Sequence, residues 1–113
     1  MKVQMDGKLL TIFINSTDQW HGQPLYTAIV HLCQQKGIAG ATVTRCAEGY
    51  GASHKLHTAR LLELSENLPV RIDIADLPER IDPLLADLDR MIGEGLVVVG
   101  NVHLLRYLIE PRK

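Results

Sequence analysis

The sequence predicts one α+β unit spanning residues 1–113, a four-stranded antiparallel sheet with two helices on one of its faces. Three observations predict it. Segments that alternate with period two flank two segments whose apolar residues recur at helical spacing, in the order strand, helix, strand, strand, helix, strand. A chain of 113 residues, 46% hydrophobic and 22% charged, has the size and composition of a soluble domain with its own core. No linker, repeat or low-complexity stretch divides it.

Residues 8–15 form the first predicted strand, with Leu10, Ile12 and Ile14 on one face and Leu9, Thr11 and Phe13 on the other. Apolar residues on both faces argue for an internal strand. Residues 16–22 read as a loop, in which Trp20 reads as a packing anchor, with its ring able to cover a subunit interface, rather than as a binding platform. Pro24 suits the first turn of a helix. Leu25, Ala28, Ile29, Leu32 and Cys33 then make its apolar stripe, and Gly37 ends it. On the other side of that helix His31 reads as solvated. The second strand is predicted over about 41–48.

The stretch 57–65 fits either a returning hairpin arm or a short helix, and pairing of its backbone favours the strand. Residues 67–69 read as a turn. Val70, Ile72 and Ile74 then alternate with Arg71, Asp73 and Ala75. The second helix is predicted from Pro78 to about Ile92, along the stripe Ile81, Leu84, Leu85, Leu88 and Ile92. Pro83 implies either a separate first turn, with Asp82 capping a helix that starts at Pro83, or a kink. Leu96–Val99 and Val102–Ile109 close the order, with Gly100-Asn101 as a bend or hairpin turn. Right-handed crossovers then give the ferredoxin-like βαββαβ sandwich. Because the helices cover one face only, the other is expected to meet further copies of the chain in a symmetric oligomer.

Net charge is −1, so no electrostatic case exists for nucleic acid or an anionic membrane. No apolar run approaches the roughly 20 residues that span a bilayer, and the N-terminus lacks a signal-peptide stretch. Cys33 and Cys46 form no CxxC and read as reduced structural thiols, which with the missing leader gives a cytoplasmic expectation. No serine, cysteine or histidine constellation has triad spacing, so no enzyme is expected.

The stretch 40–58 is the most informative. It begins as a β-branched strand at Thr42, Val43 and Thr44, passes Gly49-Tyr50-Gly51, and continues as the polar run 53–57. A strand that opens through glycines into an exposed loop is where binding groups sit. His54 and His57 with Glu48 or Glu63 offer a weak metal seed, against solvated loop histidines as the plainer reading. Lys55 with Arg45 and Arg60 offers an anion-attracting patch, against solvated charge.

Several motifs resemble the PII signal-transduction proteins: residues 37–44, Glu48-Gly-Tyr-Gly51, His57-Thr58, residues 68–74 and Gly93-Glu-Gly-Leu-Val-Val-Val99, in order and spacing from about residue 24 onward. The opening Trp20-His-Gly-Gln-Pro-Leu-Tyr26 is not a PII feature; it resembles the mark of a PII-like family of small bacterial proteins of uncharacterised function. The resemblance implies a homotrimer with a small-molecule site, often for an adenine nucleotide, in each intersubunit cleft. It also implies a long loop, here 49–62, that docks on a partner such as a membrane transporter. Carried over by residue, the ligand site comprises Thr42, Gly49, Tyr50, Gly51, Asp73, Gly93, Glu94, Gly95 and Arg106.

Departures from the PII pattern shape the expected ligand. Ala52 and Leu96 stand where PII proteins have an arginine and a lysine, and Arg106 is the only arginine offered on the last strand. Each charge-assisted phosphate contact is worth roughly 1.5–3 kcal/mol. The expectation is therefore a regulator that senses a small anion, a monophosphate or a cyclic nucleotide rather than ATP. The alternative is a divalent-metal protein similar to the cation-tolerance trimers.

Overall fold

The computed structural model describes residues 1–50, 57–58 and 67–109, with the backbone alone described at 57–58. In chain order the elements are β1 (Lys2–Asn15), β2 (Gln19–Trp20), β3 (Gln23–Pro24), α1 (Leu25–Gln35), β4 (Gly40–Arg45), β5 (Glu48–Gly49), β6 (His57–Thr58), β7 (Pro69–Asp76), α2 (Pro78–Met91) and β8 (Leu96–Tyr107). Four of them form an antiparallel sheet in the order β4-β7-β1-β8. Together with α1 and α2 this is the expected ferredoxin-like sandwich, with the first strand internal.

Leu10, Ile12 and Ile14 of β1 and Val70, Ile72 and Ile74 of β7 point to the helices. They meet Leu25, Ile29 and Cys33 of α1 and Ile81, Leu84 and Leu88 of α2, every one buried. The alternation of β7 has its cause here: its odd residues, Arg71 and Asp73 among them, face away from the helices and are not buried. α1 ends in a Schellman motif, in which Gly37 takes φ +68 while its N–H and that of Ile38 bond Gln34 O and Cys33 O. Asp76 is buried at the end of β7. Its carboxylate accepts the N–H of Ala39 at 2.9 Å and of Leu77 at 2.7 Å, which ties the entry of β4 to the start of α2.

Several boundaries differ from the sequence expectation. β1 starts at Lys2, and its first residues pair with the far half of β8 in one unbroken register from Lys2↔Tyr107 to Phe13↔Leu96. Gly100 and Asn101 therefore make no turn; they pair with Leu9 and Lys8 inside a continuous strand. β4 ends at Arg45, and Glu48–Gly49 forms its own short pair with His57–Thr58, so the returning arm is a strand where it is described.

Pro69 opens β7 rather than closing a turn, a position where its missing N–H breaks no ladder. Pro24 lies just before α1 as its N-cap. α2 runs unbroken through Pro83, with neither a separate first turn nor an Asp82 cap. The carbonyl deprived of a partner there belongs to Glu79, in the exposed first turn, where water can replace it. The expected loop at 16–22 contains a hairpin, β2–β3, turned by His21 (φ 47) and Gly22 (φ 82), the positive pair of a type I′ turn.

Candidate functional site

The face of the sheet away from the helices carries most of the expected site. Strand register sets its rows. One row reads Thr42, Asp73, Thr11, Val98; the next reads Thr44, Arg71, Phe13, Leu96. Thr42 is exposed beside half-buried Asp73. The Asp73 carboxylate is already engaged: Oδ1 accepts the Thr11 hydroxyl at 2.9 Å, and both oxygens accept Arg71 Nε at 3.2 and 3.0 Å. A ligand donor at Asp73 would share the carboxylate with these partners.

Arg71 is not among the residues expected to bind ligand, yet it is a cation of this face. Its guanidinium lies 6.0 Å from the Phe13 ring centroid and holds Asp73. The signal is present in the sequence, since Arg71 alternates with the core residues of β7 in phase with Asp73. Around it the face is apolar: Leu96 and Val98 are about half exposed, at 53% and 50%.

The glycine motifs lie at one end of the sheet, where β4 leaves and β8 enters. Gly49 pairs with His57 and stands in ordinary contact with Pro69, while Cys46 N–H bonds Pro69 O, so the loop base is fastened to the start of β7. Tyr50 is 66% exposed beside it. Gly93, Glu94 and Gly95 form the exposed connection from α2 to β8. Gly93 has open space around its Cα, whereas a Cβ on Gly95 would come within 2.9 Å of Phe13 O. Gly95 thus has a packing reason to be glycine, independent of any ligand.

β4 and β8 are the two edges of the sheet, but Gly49 stands against Pro69 at the start of β7 and Gly95 against Phe13 and Ile14 of the adjacent β1. Arg106 lies ten residues further along β8, roughly 33 Å from Leu96, opposite Val3 on the part of the β1–β8 ribbon beyond β7. Within one chain the structure therefore brings Thr42 beside Asp73 and puts Gly49 and Tyr50 at the same end as Gly93–Gly95. It does not bring Arg106 to them. Gly51 lies outside the described residues.

Of the cations expected at the loop, Arg45 donates to Tyr26 Oη at 3.3 Å; Lys55 and Arg60 lie outside the described residues. Among the described residues no three His, Cys, Asp or Glu side chains gather as metal ligands. His54 and Glu63 fall outside those residues, and of His57 only the backbone is described. His103 and Tyr107 share a face of β8, and His103 bonds Asp6 and Gln4 across the ribbon at 3.3 and 3.2 Å. Cys33 is buried and its thiol is pushed up to about 11 by desolvation, so it is inert near neutral pH. Trp20 is half-buried against the core, stacked on His21 with ring centroids 4.1 Å apart, which fits the packing anchor expected of it. No helix among the described residues is long and apolar enough to cross a membrane.

Comparison with known proteins gives a consistent picture. The model of the DUF190 family, described as Uncharacterized ACR, matches residues 7–104. A UPF0166 protein of Aquifex aeolicus is 31% identical over 98 residues, covering 87% of this chain and 92% of the relative. The UPF0166 protein MJ1524 of Methanocaldococcus jannaschii is 32% identical over 101 residues, 88% and 93% of the two chains. Among solved structures, CPII of Thiomonas intermedia K12, a nitrogen regulatory PII-like protein bound to ADP, AMP and bicarbonate, superposes with a TM-score of 0.69 at 19% identity over 90% and 91% of the chains. TTHA0516 of Thermus thermophilus, described as a PII-like signaling protein, gives 0.61 at 21% identity over 89% and 90%. At such identities these two likenesses establish the fold.

Proposed function

The chain belongs to the DUF190 family and has the fold of PII-like proteins, and from that premise we propose that it is a non-enzymatic regulatory protein. It senses a small anion or adenine nucleotide in clefts between the subunits of a homotrimer. A partner, such as a membrane transporter, reads the state of residues 49–62. One observation carries this reading. The candidate ligand groups are spread over one sheet, with Thr42 on its β4 edge and Arg106 far along its β8 edge, around an apolar face the helices leave open. Docking edge to edge would set the Thr42 and Gly49 side of one copy against the Gly93–Gly95 side or the Arg106 ribbon of the next. That assembly would also cover Leu96, Val98 and Phe13.

The same arrangement bears on the ligand. Leu96, half exposed where PII proteins have lysine, supplies no charge to the turn beside it. Arg71, in the same cross-strand row as Leu96, is shared with Asp73. A ligand with one or two phosphates, or a smaller anion, suits this charge better than a triphosphate. The ADP, AMP and bicarbonate bound to CPII, a protein of the same fold, support that class. Ligand contacts would select a loop state only in so far as they differ between states.

Isothermal titration with AMP, ADP, ATP and cyclic nucleotides tests the reading, together with tryptic cleavage at Lys55 and Arg60. Saturable binding of AMP, ADP or a cyclic nucleotide, with slower cleavage when bound, is the expected result. Absence of binding by the whole panel, with cleavage unchanged, would overturn it.

A further inference from the structure

On the helical side of the core, away from the open sheet face, the β2–β3 hairpin and the two helices border an open cavity of about 330 Å³. That volume is at the lower end of the range of small-molecule sites, roughly 300–1,000 Å³. The chain's single tryptophan, Trp20, lines it. His21 covers one face of the indole and does not itself line the cavity, so the cavity meets the ring elsewhere. Leu32 of α1 and Met91 of α2 complete an apolar wall suited to a flat hydrocarbon body.

The polar side of the cavity carries the pair Asp87 and Arg90, with Lys36 just outside the lining. Asp87 of α2 binds two cations: Lys36 Nζ is 3.0 Å from Oδ2, and Arg90 Nη2 donates to Oδ1. The hydrogen bond from Lys36, then the charges of both cations, hold its carboxyl below the ordinary carboxylate range. Lys36 offsets the Asp87 carboxylate from outside the lining, which leaves Arg90 as the cation facing the cavity. The bond to Asp87 uses one of the five guanidinium N–H groups of Arg90, which is largely exposed at the cavity. Gln23 and His31 add neutral hydrogen-bonding groups.

We propose that this cavity is a binding site for a small organic carboxylate with a flat apolar body, Arg90 taking the carboxylate and Trp20 the ring. It shares no residue with the candidate site on the sheet and does not depend on the function proposed above. Trp20 and Gln23 of the Trp20-His-Gly-Gln-Pro-Leu-Tyr26 motif line it, which gives a chemical role to part of the segment that sets this chain apart from PII proteins.

Benzoate and its uncharged analogue benzamide test this on the full chain. With one tryptophan, the protein shows a single indole N–H resonance that reports directly on the cavity. Benzoate is expected to shift it saturably, at least about tenfold more tightly than benzamide, and Arg90→Gln to abolish that preference. Arg90 is largely exposed, so the variant is expected to keep the native circular dichroism. No saturable shift with benzoate at concentrations of about 10 mM would overturn the site, since that limit is already weak binding. Equal response to both probes, or a preference that survives Arg90→Gln, would overturn the assignment of Arg90 and the carboxylate. ADP shifting the indole resonance as benzoate does would overturn the separation of the two sites.

Discussion

Gly95 is glycine because the chain passes too close to itself there for anything larger. A Cβ at that position would meet Phe13 O at 2.9 Å, Ile14 Cγ2 at 3.1 Å and Ile92 Cγ2 at 3.2 Å, whereas at Gly93 it would meet nothing within 4 Å. Gly95→Ala should therefore lower the unfolding free energy by about 1–3 kcal/mol in urea titration, the usual range for overpacking. Gly93→Ala should stay within about 0.5 kcal/mol. The pair separates a steric requirement from a ligand requirement, because only an effect of Gly93→Ala on nucleotide binding would report the latter.

The cysteines give a second test at this scale. Cys33 is buried with its thiol raised from 9.0 to about 11, while Cys46 is half-buried. Iodoacetamide at pH 8 should modify Cys46 alone in the native protein and both residues in urea. Because the folded thiol ionises later than the unfolded one, its contribution to stability is intact below pH 9 and falls as pH rises towards 11. A Cys33→Ala chain should lose that alkaline slope, as measured by urea midpoints from pH 8 to 11.

At the scale of elements, periodicity made the strands and helices legible and left their ends obscure. The core stripes of α1, α2 and β7 could be read because each repeats its apolar residues at the period of the element that forms. Gly100-Asn101 misleads, since the pair resembles a hairpin turn in isolation. What keeps β8 straight is a partner at the other end of the chain, the Lys2–Gly7 half of β1, and local sequence carries no mark of such long-range pairing. Pro83 likewise looks like a break, yet its missing bond falls where the helix is exposed. The pairing of Thr42 with Asp73 could be foreseen only as membership of one site. Register made them neighbours, and it also revealed Arg71 and Thr11 as the groups that already hold the carboxylate.

Asp76 shows what joins the elements. Its buried carboxylate serves N–H groups from the entry to β4 and from the start of α2, and lies near the positive end of that helix. Asp76→Ala should cost about 1–3 kcal/mol by thermal or urea unfolding, because two backbone donors lose their acceptor. Asp76→Asn, which retains one carbonyl oxygen, should cost less.

For the whole molecule, the distribution of groups over the sheet matters more than any one of them. Its helix-free face is half-exposed and apolar at Leu96 and Val98, and two of the expected ligand groups, Thr42 and Arg106, lie on its opposite edges. Arg106, on the ribbon that β1 and β8 form beyond β7, is too far along the strand to serve the Gly93–Gly95 turn of its own chain. An assembly that joins these groups is the premise of the proposed sensor. In that assembly, Arg71→Ala should weaken binding of an anionic ligand without dispersing the subunits, which calorimetry on size-fractionated protein would show. Native mass spectrometry in the presence of AMP and ADP tests the central claim most directly. The account predicts a species of three 12.6 kDa chains that carries up to three nucleotides, with none on isolated chains. A chain that stays monomeric, or a trimer that takes up neither nucleotide nor any other small anion, would contradict it.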